Sequence, residues 1–431
     1  MEERSAVPRL SFLITGALLP LILFLYAIFL LIYLKGIPFR GFFAALAALK
    51  KEKRGERSPF QAVTLALAGT LGVGNMVGVA AALKEGGAGV LFWMWLSCLA
   101  AMVVKYAEIV LSIRKKRHAL EGSGATSYMP RWAGVCFCAL CLLCAFSVGC
   151  ALQTKAFADA LSSGVKSSLR PTLALLSGVL LCLPLGAALF KKGTSIPRLT
   201  LWLVPLMSLL YVLLCTGVLL SNTGSLLPAL KAILTSPFSL KSATLGGSAT
   251  LFTALRLGVV RGILSNEAGC GTAPFAYSDA PEKSARAQGT LGMVEVAFDT
   301  LFLCTLTGLS LLVYPESLEA ATAIDALLTA FSSVFGSAAK PLLTLSLYFF
   351  ALATLLCWSF YGKQCIGFLF KHRRATPIFS LLFGAVVIFA PLIPEGVILS
   401  VADLTITSMT LINLTFLFFH RKELQSRSPS S

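Results

Sequence analysis

The feature that most constrains this chain is a long apolar run interrupted by residues that do not suit a continuous helix. Within Leu71–Gly89 the run contains Gly72, Gly74, Asn75 and Gly78, and each glycine costs about 1 kcal/mol relative to alanine in a helix interior. In hydrocarbon, unpaired N–H and C=O groups are costly, so broken backbone persists only where it lines a cavity or is buried in protein. The stretch is therefore predicted to be a membrane helix interrupted at a binding site.

A second apolar run is interrupted in the same way at Ser265–Pro274, which reads Ser-Asn-Glu-Ala-Gly-Cys-Gly-Thr-Ala-Pro. Close helix packing through small residues would explain Gly78 but explains the polar Asn75 and Ser265–Glu267 poorly. Two interrupted helices at corresponding positions of two halves are typical of secondary transporters with inverted repeats.

The composition identifies a membrane protein and excludes a nucleic-acid partner. Hydrophobic residues make up 57% of the chain and charged residues 13%, against about 45–50% and about 25% in soluble proteins. The net charge of +17 comes from short basic clusters between apolar runs, the pattern of cytoplasmic loops. The twelve cysteines lie almost entirely in apolar segments and are interpreted as small buried hydrophobes, without disulfides or a metal site.

Apolar windows of about 20 residues predict eleven spans. They lie near residues 11–34, 59–84, 88–113, 133–163, 172–190, 199–220, 249–278, 290–314, 341–369, 376–391 and 395–419. The first is longer than the core of a cleavable signal and is expected to remain. The predicted fold is therefore all-α and polytopic.

The spans divide into two sets of five. Residues 1–58 are expected to form an accessory helix and an amphipathic basic segment, 59–221 a first repeat, 249–419 a second repeat, and 420–431 a cytoplasmic tail. Because five is odd, the second repeat starts on the opposite side of the membrane and is inverted. Alternate connections hold about three times as many Lys and Arg residues as the others. This bias predicts a plasma (inner) membrane protein with its N-terminus outside and its C-terminus in the cytoplasm.

Several motifs occur together in one order. They are Gly69–Ala80 with its Gly-Val-Gly-Asn core, Lys105-Tyr-Ala-Glu108, Arg261–Pro274 and Phe298-Asp-Thr300. From about residue 60 to residue 415 the chain closely resembles the alanine-or-glycine:cation symporter family, of the sodium:alanine symporter type. The resemblance implies a leucine-transporter-type core of five plus five inverted helices and sodium-coupled uptake of alanine, D-alanine or glycine. It implies no cofactor, with sodium as the coupling ion.

The expected site follows from the chemistry of a zwitterion. Free N–H groups at the start of a half-helix attract a carboxylate, and unwound carbonyls suit an ammonium group or a sodium ion. Gln153 matches a family glutamine that faces the substrate, and Phe275 and Trp358 are candidates for closing the pocket. The predicted substrate-binding residues are Gly72, Val73, Gly74, Asn75, Gln153, Ala268, Gly269, Gly271, Thr272, Phe275 and Trp358. A sodium site is expected near Gly72, Asn75 and Asn266.

Charged residues inside the spans are candidates for ion handling or gating. Glu267 lies within the second interruption, and a carboxylate at that depth is a functional candidate. It could carry a proton, bind an ion or gate the pathway, or it could pair structurally with Arg261 or Arg256. The pairs Lys105–Glu108 and Glu295–Asp299 are predicted to have structural or gating roles.

The chain departs from the family pattern at the site itself. Val73 stands where the family has a threonine hydroxyl, and Lys155 follows Gln153 where the family has an asparagine. Lys155 could pair with Asp159 one turn away on the same helix. Alternatively, its ammonium could occupy the place of an ion, since buried lysines can lose their proton, and transport would then be proton-coupled or uncoupled.

The function predicted is secondary active symport of small neutral amino acids, driven by sodium through alternating access. An ion channel would also need glycine-rich backbone in mid-membrane, but the chain has no tandem pore-loop repeat. A membrane enzyme is disfavoured because the three histidines, His118, His372 and His420, lie in basic loops or at a span end. The expected partners are an amino-acid substrate and the lipid bilayer, and the expected state is a monomer.

Overall fold

A computed structural model describes residues 18–40, 42, 59–116, 123–190, 196–238, 251–278 and 285–425, and within these ranges the chain is nearly all helical, without a strand. The α-helices are Leu19–Tyr33, Ile37–Arg40, Pro59–Thr70, Val77–Gly86, Gly89–Lys116, Arg131–Phe146, Leu152–Ser162, Arg170–Phe190, Ile196–Ser221, Leu226–Thr235, Leu251–Asn266, Ala273–Ala276, Ala285–Val296, Thr305–Leu312, Ala323–Phe335, Ala339–Leu369, Ala375–Phe389, Glu395–Phe419 and Arg421–Gln425. Two π-helical segments, Ser147–Ala151 and Ala297–Cys304, join α-helices on either side.

Eight helices in the described residues are long and apolar enough to cross a membrane, and a ninth span is the bent pair Phe60–Thr70 and Val73–Gly86. Two more predicted spans take other forms. Leu19–Tyr33 is a shorter apolar helix, and the seventh predicted span is Leu251–Asn266 followed by a break and Ala273–Ala276. The predicted all-α polytopic membrane fold is thus confirmed, with an approximate helix count.

Parts of the predicted layout lie outside the described residues. These include most of the amphipathic basic segment, at residues 43–58, and the end of the tail, at residues 426–431. The division into repeats 59–221 and 249–419 stays a prediction, as does the orientation of the termini.

The first broken helix consists of Pro59–Thr70 and Val77–Gly86, whose flanking axes differ by 65°. Gly72 lies between them in an extended conformation (φ −114°, ψ −167°), and one 3-10 turn, Val73–Asn75, follows. The Asn75 side chain accepts a hydrogen bond from the Gly72 N–H at 3.2 Å. The break predicted at Gly72–Asn75 is therefore present and is partly capped by its own asparagine.

The second broken helix consists of Leu251–Asn266 and Ala273–Ala276. Three residues between them have left-handed backbone, namely Glu267 (φ 53°), Gly269 (φ 88°) and Gly271 (φ 75°). Glycine adopts this conformation without a steric penalty, whereas a side-chain-bearing residue pays roughly 1–2 kcal/mol. Glu267 must therefore be held by other contacts.

The central helix, Gly89–Lys116, carries charged residues through the middle of the protein. Every residue from 101 to 113 is buried, including Lys105 and Glu108. The central helix packs against Leu19–Tyr33, Leu251–Asn266 and Ala285–Val296. Since neither water nor lipid reaches these side chains, their polar atoms need partners within the protein.

Two of the longer connections between predicted spans contain helices that the span prediction missed, Leu226–Thr235 and Ala323–Phe335. Both are too short to fill a window of about 20 residues. The second has a sequence signature, because the Thr322 hydroxyl accepts a hydrogen bond from the Asp325 N–H at 3.1 Å. Such N-terminal caps are recognisable from sequence.

We expect Gly178→Ala to destabilise the fold. A Cβ atom at Gly178 would lie 2.6 Å from backbone atoms of Ile388 on the neighbouring helix, and such overpacking costs about 1–3 kcal/mol. Gly186 is on the same helix with nothing within 4 Å of its Cβ position, so Gly186→Ala is the matched control. Thermal unfolding in detergent should show a lower melting temperature for Gly178→Ala only. Equal melting temperatures would contradict this close helix contact.

Candidate functional site

The two broken helices meet at Asp299. Its Oδ1 accepts a hydrogen bond from the Asn75 side chain at 2.6 Å, and its Oδ2 accepts one from the Ser265 hydroxyl at 2.7 Å. Thr300 donates a further bond to Oδ2 at 2.9 Å. Asp299 is fully buried and lies in the π-helical segment Ala297–Cys304. One carboxylate therefore joins both interruptions, which are about 190 residues apart in the chain.

Gln153 occupies the first interruption from a third helix. Its Oε1 accepts the Val73 N–H at 2.9 Å, and its Nε2 donates to the Val148 carbonyl at 3.1 Å. That carbonyl lies in the π-helical segment just before Gln153, where i→i+5 hydrogen bonding replaces the regular α-helical pattern. A Cβ atom at Gly72 would lie 2.8 Å from Gln153 Oε1, so this approach requires glycine.

The second interruption is held by side-chain hydrogen bonds. Glu267 accepts one from the Thr272 hydroxyl at 2.7 Å and one from the Trp358 indole N–H at 3.1 Å. Asn266 donates to Thr300 at 3.2 Å, and its Oδ1 accepts the Ala268 N–H at 3.1 Å. These bonds hold Glu267 in its left-handed conformation. Its carboxylate is thus bonded to Thr272 and Trp358 rather than to either of the arginines considered as structural partners.

Lys105 is a buried cation of the site, and it pairs with an acid outside the Lys105-Tyr-Ala-Glu108 motif. Lys105 Nζ lies 3.1 Å from Glu295 Oε1 and donates to the Asn266 carbonyl at 2.8 Å. The carboxylate paired with Lys105 thus belongs to Glu295 and not to Glu108, with which the sequence groups it. Residues three or four apart on one helix are neighbours, but here a facing helix offers the closer partner. Lys105 also links the central helix to the second broken helix.

A cavity of about 770 Å³ reaches from the protein surface to the first interruption. Val73 and Gly74 lie at its inner end, and the exposed Arg170 and Glu395 lie at its rim. Lys155 is on the cavity wall, 3.2 Å from Asp159, with 23% of its side chain exposed. The Lys155–Asp159 pair expected one turn apart is formed.

The remaining predicted residues lie around the second interruption. Phe275 is buried between Phe137 and Tyr361, with ring centroids 6.4 and 5.8 Å away. The Gly269 carbonyl accepts a hydrogen bond from the Asn413 side chain at 2.9 Å. The structure thus places a set of predicted residues in one hydrogen-bonded region, namely Asn75, Asn266, Glu267, Thr272 and Trp358. Phe275 and Gly271 lie beside it, and Lys155 lies apart on the cavity wall.

Several polar residues at the site were missing from the predicted set. Asp299 lies in the Phe298-Asp-Thr300 motif, but the sequence predicted only a structural or gating role for it together with Glu295. Thr307 donates to the Asn75 carbonyl at 2.8 Å, and Asn413 donates to Glu108 at 2.5 Å. Buried Thr and Asn residues in apolar spans were the available signal, since polar groups inside a membrane need protein partners.

A buried polar centre where two broken membrane helices meet, with a cavity leading to it from one surface, defines the class of secondary transporters. The comparisons with known proteins give the family. The model of the sodium:alanine symporter family matches residues 3–426. The chain belongs to the sodium:alanine symporter family, which is a family of integral membrane transporters and not of enzymes.

Curated relatives support this assignment. The sodium/alanine symporter AgcS of Methanococcus maripaludis is 32% identical over 379 residues, which cover 84% of this chain and 81% of AgcS. The amino-acid carrier protein AlsT of Bacillus subtilis is 27% identical over 387 residues, covering 88% of this chain and 81% of AlsT.

Solved structures show the fold. MhsT in complex with L-phenylalanine aligns with a TM-score of 0.60 at 15% identity, covering 86% of this chain and 90% of MhsT. The manganese transporter of Eremococcus coleocola, in a mutant form, aligns with a TM-score of 0.54 at 13% identity, covering 85% of this chain and 78% of the transporter. The predicted leucine-transporter-type fold is confirmed by these neighbours.

We expect Lys105→Met to be strongly destabilising. Removing one partner of a buried pair leaves an uncompensated charge, here on Glu295, at a cost of about 3–5 kcal/mol. The double variant Lys105→Met/Glu295→Gln removes both charges and should regain much of the loss. Lys155→Met, which breaks the more exposed pair with Asp159, should change stability by about 1 kcal/mol or less. Thermal unfolding in detergent measures all three, and no recovery in the double variant would contradict the Lys105–Glu295 pairing.

Proposed function

We propose that this protein is a secondary active symporter that couples the inward movement of sodium to the uptake of alanine, D-alanine or glycine by alternating access. The observation that carries the proposal is the cavity, which ends on the unwound residues Val73 and Gly74. Membership of the sodium:alanine symporter family supports the substrate class and the ion. The relative named as a sodium/alanine symporter covers most of the chain.

The substrate carboxylate is proposed to bind at the first interruption. The Val73 N–H points to Gln153 Oε1 in this conformation, so a carboxylate that enters would take the N–H and release Gln153. The freed amide of Gln153 could then donate to the substrate. The positive end of a half-helix favours this anion. Glu267 and the unwound carbonyls of the second interruption are acceptors for the ammonium group.

The space at Gly74 supports a small substrate. A Cβ atom at Gly74 would meet nothing within 4 Å, and Gly74 lines the cavity. The missing side chain therefore leaves room that is open to a ligand. The buried Trp358 packs against Gly149, and its indole is proposed to limit the size of the substrate.

The sodium ion is proposed to bind beside Asn75 and Asn266, with Asp299 supplying the negative charge. Oxygen atoms of Ser265 and Thr300 lie within hydrogen-bond distance of the Asp299 carboxylate, and small hard cations prefer such oxygen donors. On binding, the ion would displace the hydrogen bonds that now join these groups. Lys155 is engaged with Asp159 on the cavity wall, which favours sodium over the alternative in which its ammonium replaces the ion.

We expect wild-type protein in proteoliposomes to accumulate labelled alanine, with saturation, when an inward sodium gradient is imposed and not when potassium replaces sodium.

Asp299→Asn removes the charge proposed to bind sodium, so the sodium concentration for half-maximal uptake should rise about tenfold or more, which corresponds to about 1.4 kcal/mol.

Lys155→Asn is the matched control, a charge change on the cavity wall that should leave the sodium requirement in place. Unaltered sodium dependence in Asp299→Asn would contradict the proposed ion site. Flux that is independent of any gradient would instead support an ion channel.

We expect Gly74→Ala to shift selectivity towards glycine. The added methyl group would enter the cavity rather than the protein, and one methylene-sized change in a pocket alters binding by about 1–3 kcal/mol. The KM for alanine should rise more than the KM for glycine, as measured by competition uptake. Gly186→Ala, remote from the cavity, should change neither, and an equal rise for both amino acids would contradict the placement of the substrate side chain at Gly74.

A further inference from the structure

The carboxyl group of Glu108 has an uneven set of partners. Its Oε1 accepts hydrogen bonds from the Gly271 N–H at 3.0 Å and from the Asn413 side chain at 2.5 Å. Its Oε2 is buried without a hydrogen-bond partner among the described residues. Glu108 itself has 0% exposure. An ionised carboxylate would therefore leave one charged oxygen buried without a hydrogen-bond donor from the described residues.

Within the described part of the chain, no cation compensates this oxygen directly. Lys105, one turn away, is engaged with Glu295 and the Asn266 carbonyl. Among the described residues, Lys105 is the one buried lysine. The buried acids of the same region are Glu108, Glu267, Glu295 and Asp299. Four acids facing one cation in a low-dielectric interior require other positive charges. The proposed sodium ion supplies one at Asp299, away from Glu108.

The surroundings of Glu108 suit a proton better than a metal ion. The groups bonded to Oε1 are N–H donors, whereas a metal ion needs oxygen acceptors around it. Leaving an ionised oxygen without a donor costs more than leaving a neutral hydroxyl without an acceptor. The Tyr26 hydroxyl, also buried and without a described hydrogen-bond partner, interacts electrostatically with the same carboxyl group.

We propose that Glu108 is a proton-binding site, with the proton on Oε2 in the conformation whose cavity reaches the first interruption. The proton comes from water and returns to it, so no other reactant is needed. This inference rests on the proposed transport function for its consequence and not for its chemistry. It adds a pH-sensitive group to a sodium-driven cycle and leaves Lys155 without a role in proton coupling.

The proton would act on the second broken helix. Asn413 donates both to Glu108 and to the Gly269 carbonyl, and the Tyr128 hydroxyl donates to Asn413 Oδ1 at 2.6 Å. Glu108 is thus bonded, directly or through Asn413, to two residues with left-handed backbone, Gly269 and Gly271. Loss of the proton places an unpaired charge here and disfavours this conformation of the break.

Other titratable groups also face Glu108 and belong to the same electrostatic environment. They are Lys105 on the central helix, Cys270 at the second interruption, Tyr26 on Leu19–Tyr33 and Tyr128 on Gly124–Tyr128. Glu267 and Glu295 interact with Lys105 and so act on Glu108 through it. A shift in pH dependence must therefore be assigned to Glu108 by substitution.

Infrared spectroscopy of purified protein tests the proton directly and needs no transport. Wild-type protein at neutral pH should show the carbonyl-stretch band of a protonated carboxylic acid, and carbon-13 labelling of glutamate should shift it. Glu108→Gln should lose this component. Glu423→Gln, which alters an acid paired with Lys115 at 2.8 Å near the chain end, should keep it. A band that is unchanged in Glu108→Gln, or the absence of a glutamate-derived band in the wild type, would overturn the proposal.

Uptake measurements test the consequence. With sodium saturating, wild-type alanine uptake should fall by about tenfold per pH unit above the titration point of one group, whereas uptake by Glu108→Gln, a neutral mimic of the protonated acid, should stay level with pH. The same pH profile in both proteins would overturn the proposed effect on transport. If the wild type takes up no alanine, the proposed function fails, and the infrared result still decides the proton site.

Discussion

The constraint on which this structure depends is that backbone groups released from a helix inside a membrane must find new partners. The two breaks release several such groups, and side chains from other helices accept or donate to them. Gln153 accepts the Val73 N–H, Lys105 donates to the Asn266 carbonyl, and Glu108 accepts the Gly271 N–H. The breaks are thereby positioned by residues far away in the chain. A substrate or ion that binds at either break must compete with these side chains.

Much of the fold was predictable from sequence because it follows from local composition. Glycine and asparagine within apolar runs predicted both interruptions, at Gly72–Asn75 and Ser265–Pro274, and long apolar windows predicted most spans. The motif resemblance alone indicated the leucine-transporter-type fold. The short helices Leu226–Thr235 and Ala323–Phe335 were not predicted, because a window of about 20 residues suited to membrane spans does not detect helices of this length.

The pairings within the site were not predictable in the same way. Lys105 and Glu108 lie three residues apart, and helix geometry alone favours a contact between them. The closer carboxylate belongs to Glu295, which is distant in the chain, and only the packing of two helices side by side reveals it. Asp299 was recognisable as a buried acid, but its contacts to Asn75 and Ser265 depend on how both broken helices are brought together. Sequence patterns of short range contain no information on such distances.

The π-helical segment Ser147–Ala151 has a consequence for the length of the helix that carries Gln153. A π-helical turn holds one residue more than the α-helical turn it replaces. Each residue of a regular α-helix corresponds to about 100° of rotation. Without the wider turn, one extra residue in this helix would rotate everything after it, Gln153 included, by about that angle away from Val73. The π-helical turn takes up the extra residue and keeps the Gln153 side chain on the Val73 N–H. The width of this one turn, as much as the identity of its residues, therefore determines which face of the helix meets the site.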